Sequence, residues 1–309
     1  MSATRYSWFL TSAGTPILIV LLRPGLLRAS HAGAGRDSPG PAAGRSWSTG
    51  AMTARVHRKA RADAPPGFFA CEAAGLRWLA AARAVPVVRV LEVRDDALLL
   101  EHLEAAPPTP DAARELGRGL ARLHDRGAPA FGCPPDGWTG DGFFGPLDAP
   151  LPLRSGAYER WGPALADLRL EPVREPLRAT GRLSPGLAAA LDVVGRRLRD
   201  GAWDDGDGPA RVHGDLWSGN VVWTAAGAVL IDPAAHGGHR VSDLAMLALF
   251  GLPHLDVVLA GYQEQHPLPT GWRDLLGLHQ LFPVAVHAVL FGGGYVGQLE
   301  RLATHYAGG

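Results

Sequence analysis

The chain is nearly without lysine. Of its 30 basic residues, Lys59 is the single lysine and the other 29 are arginine. Arginine has taken every place where positive charge alone suffices, which leaves Lys59 as a candidate for a site that only a compact ammonium fits. Cysteine is almost as scarce. Cys71 and Cys133 are too few for a disulfide scaffold and lack the paired spacing of a zinc site, so a reducing compartment, the cytoplasm, is the expectation. An excess of charge is missing as well: 30 acidic residues balance the 30 basic ones, which excludes a broad electrostatic grip on nucleic acid or an anionic membrane. The apolar run at 16–22, PILIVLL, is too short to span a bilayer.

What is there fits a globular chain. At roughly 150 residues per domain, 309 residues suggest two domains or one two-lobed unit, and 47% hydrophobic against 19% charged residues allow a large core. Residues 1–50 stand apart: no acid precedes Asp37, and the stretch from His31 is mostly Gly, Ala, Ser and Pro. They read as a disordered or mis-started N-terminal extension, in which the apolar run followed by small residues weakly resembles a secretory signal. Residues 68–83 (FFACEAAGLRWLAAAR) have the spacing and alanine content of a helix. Residues 87–93 and 98–100 read as two strands around the turn Arg94, Asp95, Asp96. The three prolines within 104–110 mark a linker. Beyond it the pattern is mostly helical, with Leu116, Leu120 and Leu123 on one face and Leu187, Leu191, Val194 and Leu198 on another. The Gly- and Pro-rich stretch 129–152 reads as an irregular insert.

The chemistry concentrates in 212–232, VHGDLWSGNVVWTAAGAVLID. Two short apolar runs, 221–223 and 229–231, joined by the glycine-containing connection 224–228, predict a hairpin. Asn220 enters the first strand and Asp232 leaves the second, so both side chains emerge at the open end, roughly 5 Å apart across the ladder. An amide oxygen and a carboxylate there suit Mg2+, which takes one or two protein oxygens and leaves room for water and phosphate. Asp215, five residues before Asn220, is placed to accept a proton from an attacking hydroxyl. His213 is expected to bond local backbone and shape the loop. The ordered set His213, Asp215, Asn220, hairpin and Asp232 points to phosphoryl transfer from a nucleotide.

The segment HGDLWSGN, with LIDPAAHGGHR and DLAMLALFG after it, resembles the fructosamine kinase (ketosamine kinase) family, which is related to aminoglycoside phosphotransferases and choline kinases. Trp217 discriminates among these relatives, together with the run through Gly238, His239 and Arg240 and the segment from Asp243. GFFACEAAGLRWL, LLLEHLE, FGCPPDGW and LFGGGY extend the resemblance from about Arg55 to the C-terminus. The resemblance implies a two-lobed, protein-kinase-like α+β fold: a small nucleotide-binding lobe over 51–106, a helical catalytic and substrate lobe over 107–309, and ATP between them. It makes Asp215 the catalytic base and Asn220 and Asp232 the Mg2+ ligands. Lys59 matches the lysine that holds nucleotide phosphates, and Glu72 matches its ion-pair partner. Glu101, His102 and Leu103 match the segment whose backbone meets adenine. Trp217 would face the sugar-amine, His239 and Arg240 would contact substrate or phosphate, and Asp243 would brace the catalytic loop.

The implied reaction phosphorylates a sugar hydroxyl of a ketosamine, carried by a small glycated amine or a glycated protein lysine, without nucleic acid or membrane. Two departures stand out. Val241 replaces a glutamate usual in the family, and 1–54 lack a convincing phosphate-covering loop, although Gly44 and Gly50 are present. Protein-kinase activity is disfavoured, because Pro233 and Ala234 follow Asp232 where Phe-Gly would be expected. An aminoglycoside- or choline-type phosphotransferase and a non-catalytic pseudokinase remain alternatives. Asp204, Asp205 and Asp207, a faint acidic cluster suited to a polycationic acceptor, read more simply as a solvated loop.

Overall fold

A computed structural model describes residues 55–308 together with two short strands nearer the N-terminus. Strands β1 (Ser7–Leu10) and β2 (Pro16–Ile19) pair antiparallel with Ser7 opposite Ile19 and belong to a separate unit, Met1–Ala51. Residues 16–19 of the apolar run thus form a strand. The rest of the 1–50 extension, with Gly44 and Gly50, lies outside the described residues.

The second unit opens with β3 (Val56–Ala60), α1 (Phe68–Ala81), β4 (Val90–Val93) and β5 (Ala97–Glu101). The three strands form an antiparallel sheet with β5 in the middle. β5 takes the centre because its leucines can be covered: Leu98 and Leu100 pack with Phe68, Phe69, Ala73 and Leu76 of α1, each fully buried leucine contributing about 2 kcal/mol. Edge strand β3 carries the charge, and its Lys59 stands opposite Leu98. The helix expected over 68–83 ends at Ala81, because the backbone turns through a left-handed Arg83 (φ 51°). The strand expected over 87–93 starts only at Val90. The residues before it are drawn away, with Leu230 N donating to Pro86 O at 2.9 Å and Val88 N to Leu230 O at 3.0 Å, so the small lobe is stitched directly to the hairpin predicted at 221–231.

Helix α2 (Pro110–Asp125) starts where the proline-rich linker ends, with Thr109 capping the Ala112 amide at 3.2 Å. Its Leu116, Leu120 and Leu123 are buried, as the spacing predicts. The insert at 129–152 holds the start of a small hairpin, β6 (Gly142–Phe144) with β7 (Leu151–Leu153). Helix α3 (Trp161–Leu165) runs through a π-helical turn, Ala166–Leu170, into α4 (Glu171–Ala179). Helix α5 (Pro185–Arg199), capped by Ser184, buries Leu187, Leu191, Val194 and Leu198. Four short strands follow: β8 (Ala210–Val212), β9 (Val221–Thr224), β10 (Gly227–Leu230) and β11 (His236–Gly238), paired β9 with β10 and β8 with β11. Helices α6 (Arg240–Phe250), α7 (Leu255–Gln265), α8 (Leu276–Phe291) and α9 (Gly294–Gly308) complete the larger lobe.

Two contacts set this lobe. Gly117 of α2 and Gly261 of α7 let the two backbones touch, since a Cβ at either would strike the carbonyl of Val258 or Arg114. The stretch Trp272–Phe291, 20 residues of mean hydropathy 1.4, is long and apolar enough to cross a membrane. Here it is a core helix, with Leu278, Leu281, Val284, Ala285 and Ala288 fully covered by the protein. The result is a two-lobed α+β fold.

Candidate active site

The site is built around the loop 213–215 between β8 and the 3-10 turn Ser218–Asn220. Gly214 sits at φ 83°, and a Cβ there would run into the Ala234 carbonyl, so glycine is required on both counts. Asp243, in the first turn of α6 and buried, accepts from the amides of His213 at 2.8 Å and Gly214 at 2.9 Å. Its Oδ2 also meets His124 Nε2 at 3.1 Å, and His124 Nδ1 meets the Tyr262 hydroxyl at 2.8 Å. Burial works against the Asp243 charge, but the His124 hydrogen bond and charge and the amide donors outweigh it and hold the carboxyl below its ordinary range. His213 donates from Nε2 to Ile231 O at 2.8 Å and accepts the Asp215 amide on Nδ1 at 3.3 Å. Burial pushes it below its usual pKa, and both ring nitrogens are engaged by backbone, so it acts as a strut.

Asp215 is fixed by Asn220, whose Nδ2 donates to Asp215 O at 2.8 Å, to Asp215 Oδ2 at 3.1 Å and to Asp232 O at 3.3 Å. Desolvation pushes the Asp215 carboxyl up to about 7 against the Asn220 bond, with Asp232 and Asp243 adding to the rise. The predicted hairpin is present, with Val222 opposite Val229, and Asn220 O accepts from Ile231 N at 3.1 Å to hold its open end together. Asp232 leaves that end at φ 52°, a left-handed conformation in which an aspartate is uncommon. Its Oδ2 lies 3.3 Å from Lys59 Nζ, which in turn is 2.7 Å from Glu72 Oε2. Two carboxylates therefore share one ammonium. Burial pulls Lys59 down, but Asp232 and Glu72 prevail and raise it, while burial and the second carboxylate push Glu72 up.

Three carboxylates, Glu72, Asp215 and Asp232, face one lysine in this cleft. The amide nitrogen of Asn220 is spent three times inside the protein, which leaves its oxygen for a ligand. No cluster of three or more His, Cys, Asp or Glu capable of holding a metal occurs among the described residues. That donor set fits a hard cation whose shell is completed by phosphate and water, with Asn220 and Asp232 as its protein ligands.

The remaining expected residues divide. The Glu101 amide donates to Arg89 O at 3.0 Å, and the His102 amide donates to Arg55 O at 3.0 Å. Leu103 packs on the small-lobe core. Trp217 lies half-buried over Gly219, edge-on to Phe250 at 6.2 Å. Arg240 corrects the expectation of substrate contact: buried, it is consumed by Asp207 at 2.5 Å, Asp125 at 2.9 Å and the Tyr262 hydroxyl at 3.3 Å. His239 caps α6 through the Val241 amide at 3.2 Å and meets Asp205 at 3.2 Å, so its nitrogens too are taken. Asp204, Asp205 and Asp207 lie on an exposed loop, as expected, but each is paired: Asp204 binds Arg160 at the start of α3, and Asp205 and Asp207 bind His239 and Arg240 and tie the 200–209 loop to the start of α6. Sequence reasoning missed His124 and Tyr262, which brace Asp243. A polar residue next to the leucine face of α2 was the available clue to the first.

Solved structures place the architecture first. The choline kinase LicA of Streptococcus pneumoniae superimposes with a TM-score of 0.54 at 12% identity over 83% of this chain and 87% of that one, so the fold is that of the protein-kinase-like phosphotransferases. Within that class, residues 29–307 match the fructosamine kinase family model, and the chain belongs to this family of ATP-dependent phosphotransferases. The probable ketoamine kinase of Thermus thermophilus is 34% identical over 276 residues, covering 87% of this chain and 95% of that protein. The crystal structure of a candidate fructosamine-3-kinase from Thermobifida fusca is 44% identical, with a TM-score of 0.74 over 82% of this chain and 85% of that one.

Proposed function

We propose that the protein transfers the γ-phosphoryl group of ATP to a sugar hydroxyl of a ketosamine, with Asp215 as the base. The observation that carries this reading is Asp215, oriented by Asn220, beside an Asp232 that reaches Lys59. The acceptor oxygen attacks the γ-phosphorus, the bond to the β-phosphate oxygen breaks, ADP departs, and the hydroxyl proton passes to Asp215 Oδ. Lys59, positioned by Glu72, holds the phosphates in line. A divalent cation, Mg2+ by its ligand preference, would be held by Asn220 and Asp232 and would draw off phosphate charge. The backbone of Glu101, His102 and Leu103 takes adenine, and the exposed part of the Trp217 ring packs against the sugar. Its unpaired Cys71 and Cys133 and its use of ATP are in keeping with a cytoplasmic enzyme. The acceptor is a small glycated amine or a glycated lysine side chain. A polycationic acceptor is disfavoured, because the acidic cluster that could receive it is already paired.

The test is incubation of the purified chain with ATP, Mg2+ and a panel of ketosamines, followed by phosphorus NMR. A new sugar-phosphate resonance formed in step with ADP is expected. ADP release that no ketosamine accelerates, or binding of ATP with no turnover on any acceptor, would refute the reading, the second outcome in favour of a pseudokinase.

A further inference from the structure

Beside the catalytic loop lies a cavity whose wall includes Gly214, the residue before the proposed base. Phe131, Phe144, Trp161 and Phe282 make much of the remainder, and no Asp or Glu lines it among the described residues. The one arginine or lysine in the wall is Arg169, on the π-helical turn between α3 and α4. Single π-helical turns within helices occur frequently at functional sites.

Arg169 is 6% exposed and has no carboxylate partner among the described residues. Its Nη1 donates to Arg154 O at 2.7 Å and to Leu168 O at 3.1 Å, which fixes the guanidinium by one corner. Nε and Nη2, the edge that can grip a carboxylate through two parallel hydrogen bonds, have no partner among the described residues. The acid that acts on it electrostatically, Asp141, is already taken by Arg154 at 2.6 Å and the Ser155 amide at 2.9 Å. Burial draws the Arg169 guanidinium down only to about 10, so it remains a cation at neutral pH. A mostly buried cation over the Phe282 ring at 5.7 Å, with a free bidentate edge in a cavity wall without acids, is suited to an anion.

We infer that this cavity receives the carboxylate end of the acceptor, with Arg169 as its binding residue, so that the kinase selects ketosamines of free amino acids over those of amines without a carboxylate. The inference rests on the kinase reading above, since it is the acceptor that Gly214 places beside Asp215. It deepens that reading by separating free glycated amino acids from lysines inside a polypeptide, whose carboxyl is spent in a peptide bond.

The test uses two matched acceptors: a ketose adduct of lysine at its ε-nitrogen, and the same adduct of cadaverine, which is lysine without its carboxylate. Their affinities are measured by calorimetry on the full chain without ATP, and their KM values in the presence of ATP and Mg2+. The lysine adduct should bind the wild type about tenfold or more tightly, a difference seen in KM rather than kcat. Arg169→Gln should shrink the ratio to within about threefold, and Arg169→Lys should restore part of it. Equal affinity of the two adducts for the wild type, or no detectable binding of either, overturns the inference, and this comparison decides even if the variants fail to fold. An unchanged ratio in a folded Arg169→Gln overturns it as well. A calorimetric preference without phosphoryl transfer would refute the kinase reading and leave the carboxylate site standing.

Discussion

Asp215 and Lys59 are chemically opposite kinds of residue, and substitutions should distinguish them. Asp215→Asn keeps the side-chain shape and its bond to Asn220 in altered form, but cannot accept the hydroxyl proton. Turnover should fall by about two to four orders of magnitude with nucleotide affinity nearly intact, as paired activity and titration measurements would show. Turnover within about threefold of wild type would remove Asp215 from the base role. Lys59 bridges Glu72 and Asp232 at 2.7 and 3.3 Å with a side chain only 18% exposed. A guanidinium is broad and planar and must displace one of the two carboxylates. Lys59→Arg should therefore lose nearly as much nucleotide affinity and turnover as Lys59→Ala, although it preserves charge in a chain that uses arginine everywhere else. If arginine rescued most of what alanine loses, Lys59 would be acting only as diffuse charge.

Among the elements, the start of α6 holds the 213–215 loop and the 200–209 loop together. Asp243 grips the first through two amides, and His239 and Arg240 grip the second through Asp205 and Asp207. The His239 hydrogen bond, more than burial opposes, holds the Asp205 carboxyl down to about 2, whereas an unfolded aspartate titrates near 3.9. A depressed folded pKa gives stability that is complete above the unfolded value and is lost as pH falls through the folded one. Because the carboxylate is partly exposed and screened by water, Asp205→Asn should cost at most about 1 kcal/mol near neutrality, and the gap to wild type should close as the pH approaches 2 in denaturant titrations. A gap independent of pH would mean the bond to His239 is not its source. These ties explain what was legible in the sequence. The hairpin, α1, α2 and α5 could be read because their signals are local: alternation, leucine spacing, a turn glycine. Asp205 and Asp207, which pair with His239 and Arg240, lie more than thirty residues upstream in an acidic run that looks like any solvated loop, so the burial of His239 and Arg240 against them was invisible. The π-helical turn that carries Arg169 has no sequence pattern of its own, and the strands β6 and β7 are only three residues each, in a Gly- and Pro-rich insert.

For the molecule as a whole, the cleft carries more negative charge than its lysine can balance, and nucleotide phosphates would add to it. Binding of ATP should therefore depend on a divalent cation, and stabilisation should follow mass action, about 2.7 kcal/mol when free ligand is 100 times Kd. Thermal melts should rise with ATP and Mg2+ together far more than with either alone. Asp232→Ala should abolish that synergy more completely than Asn220→Ala, because a charged oxygen binds a hard cation more strongly than a neutral one. Equal synergy in wild type and both variants would move the metal away from the hairpin end. The scarcity of lysine has a different consequence. Glycation begins when an unprotonated ε-amino group attacks the carbonyl of a reducing sugar, and this chain offers one such group, charged and clasped between two acids in a cleft where nucleotide phosphates would cover it. A member of a family defined by glycated amines is thus itself almost devoid of side chains that sugar can glycate, and it can work among its own substrates without becoming one.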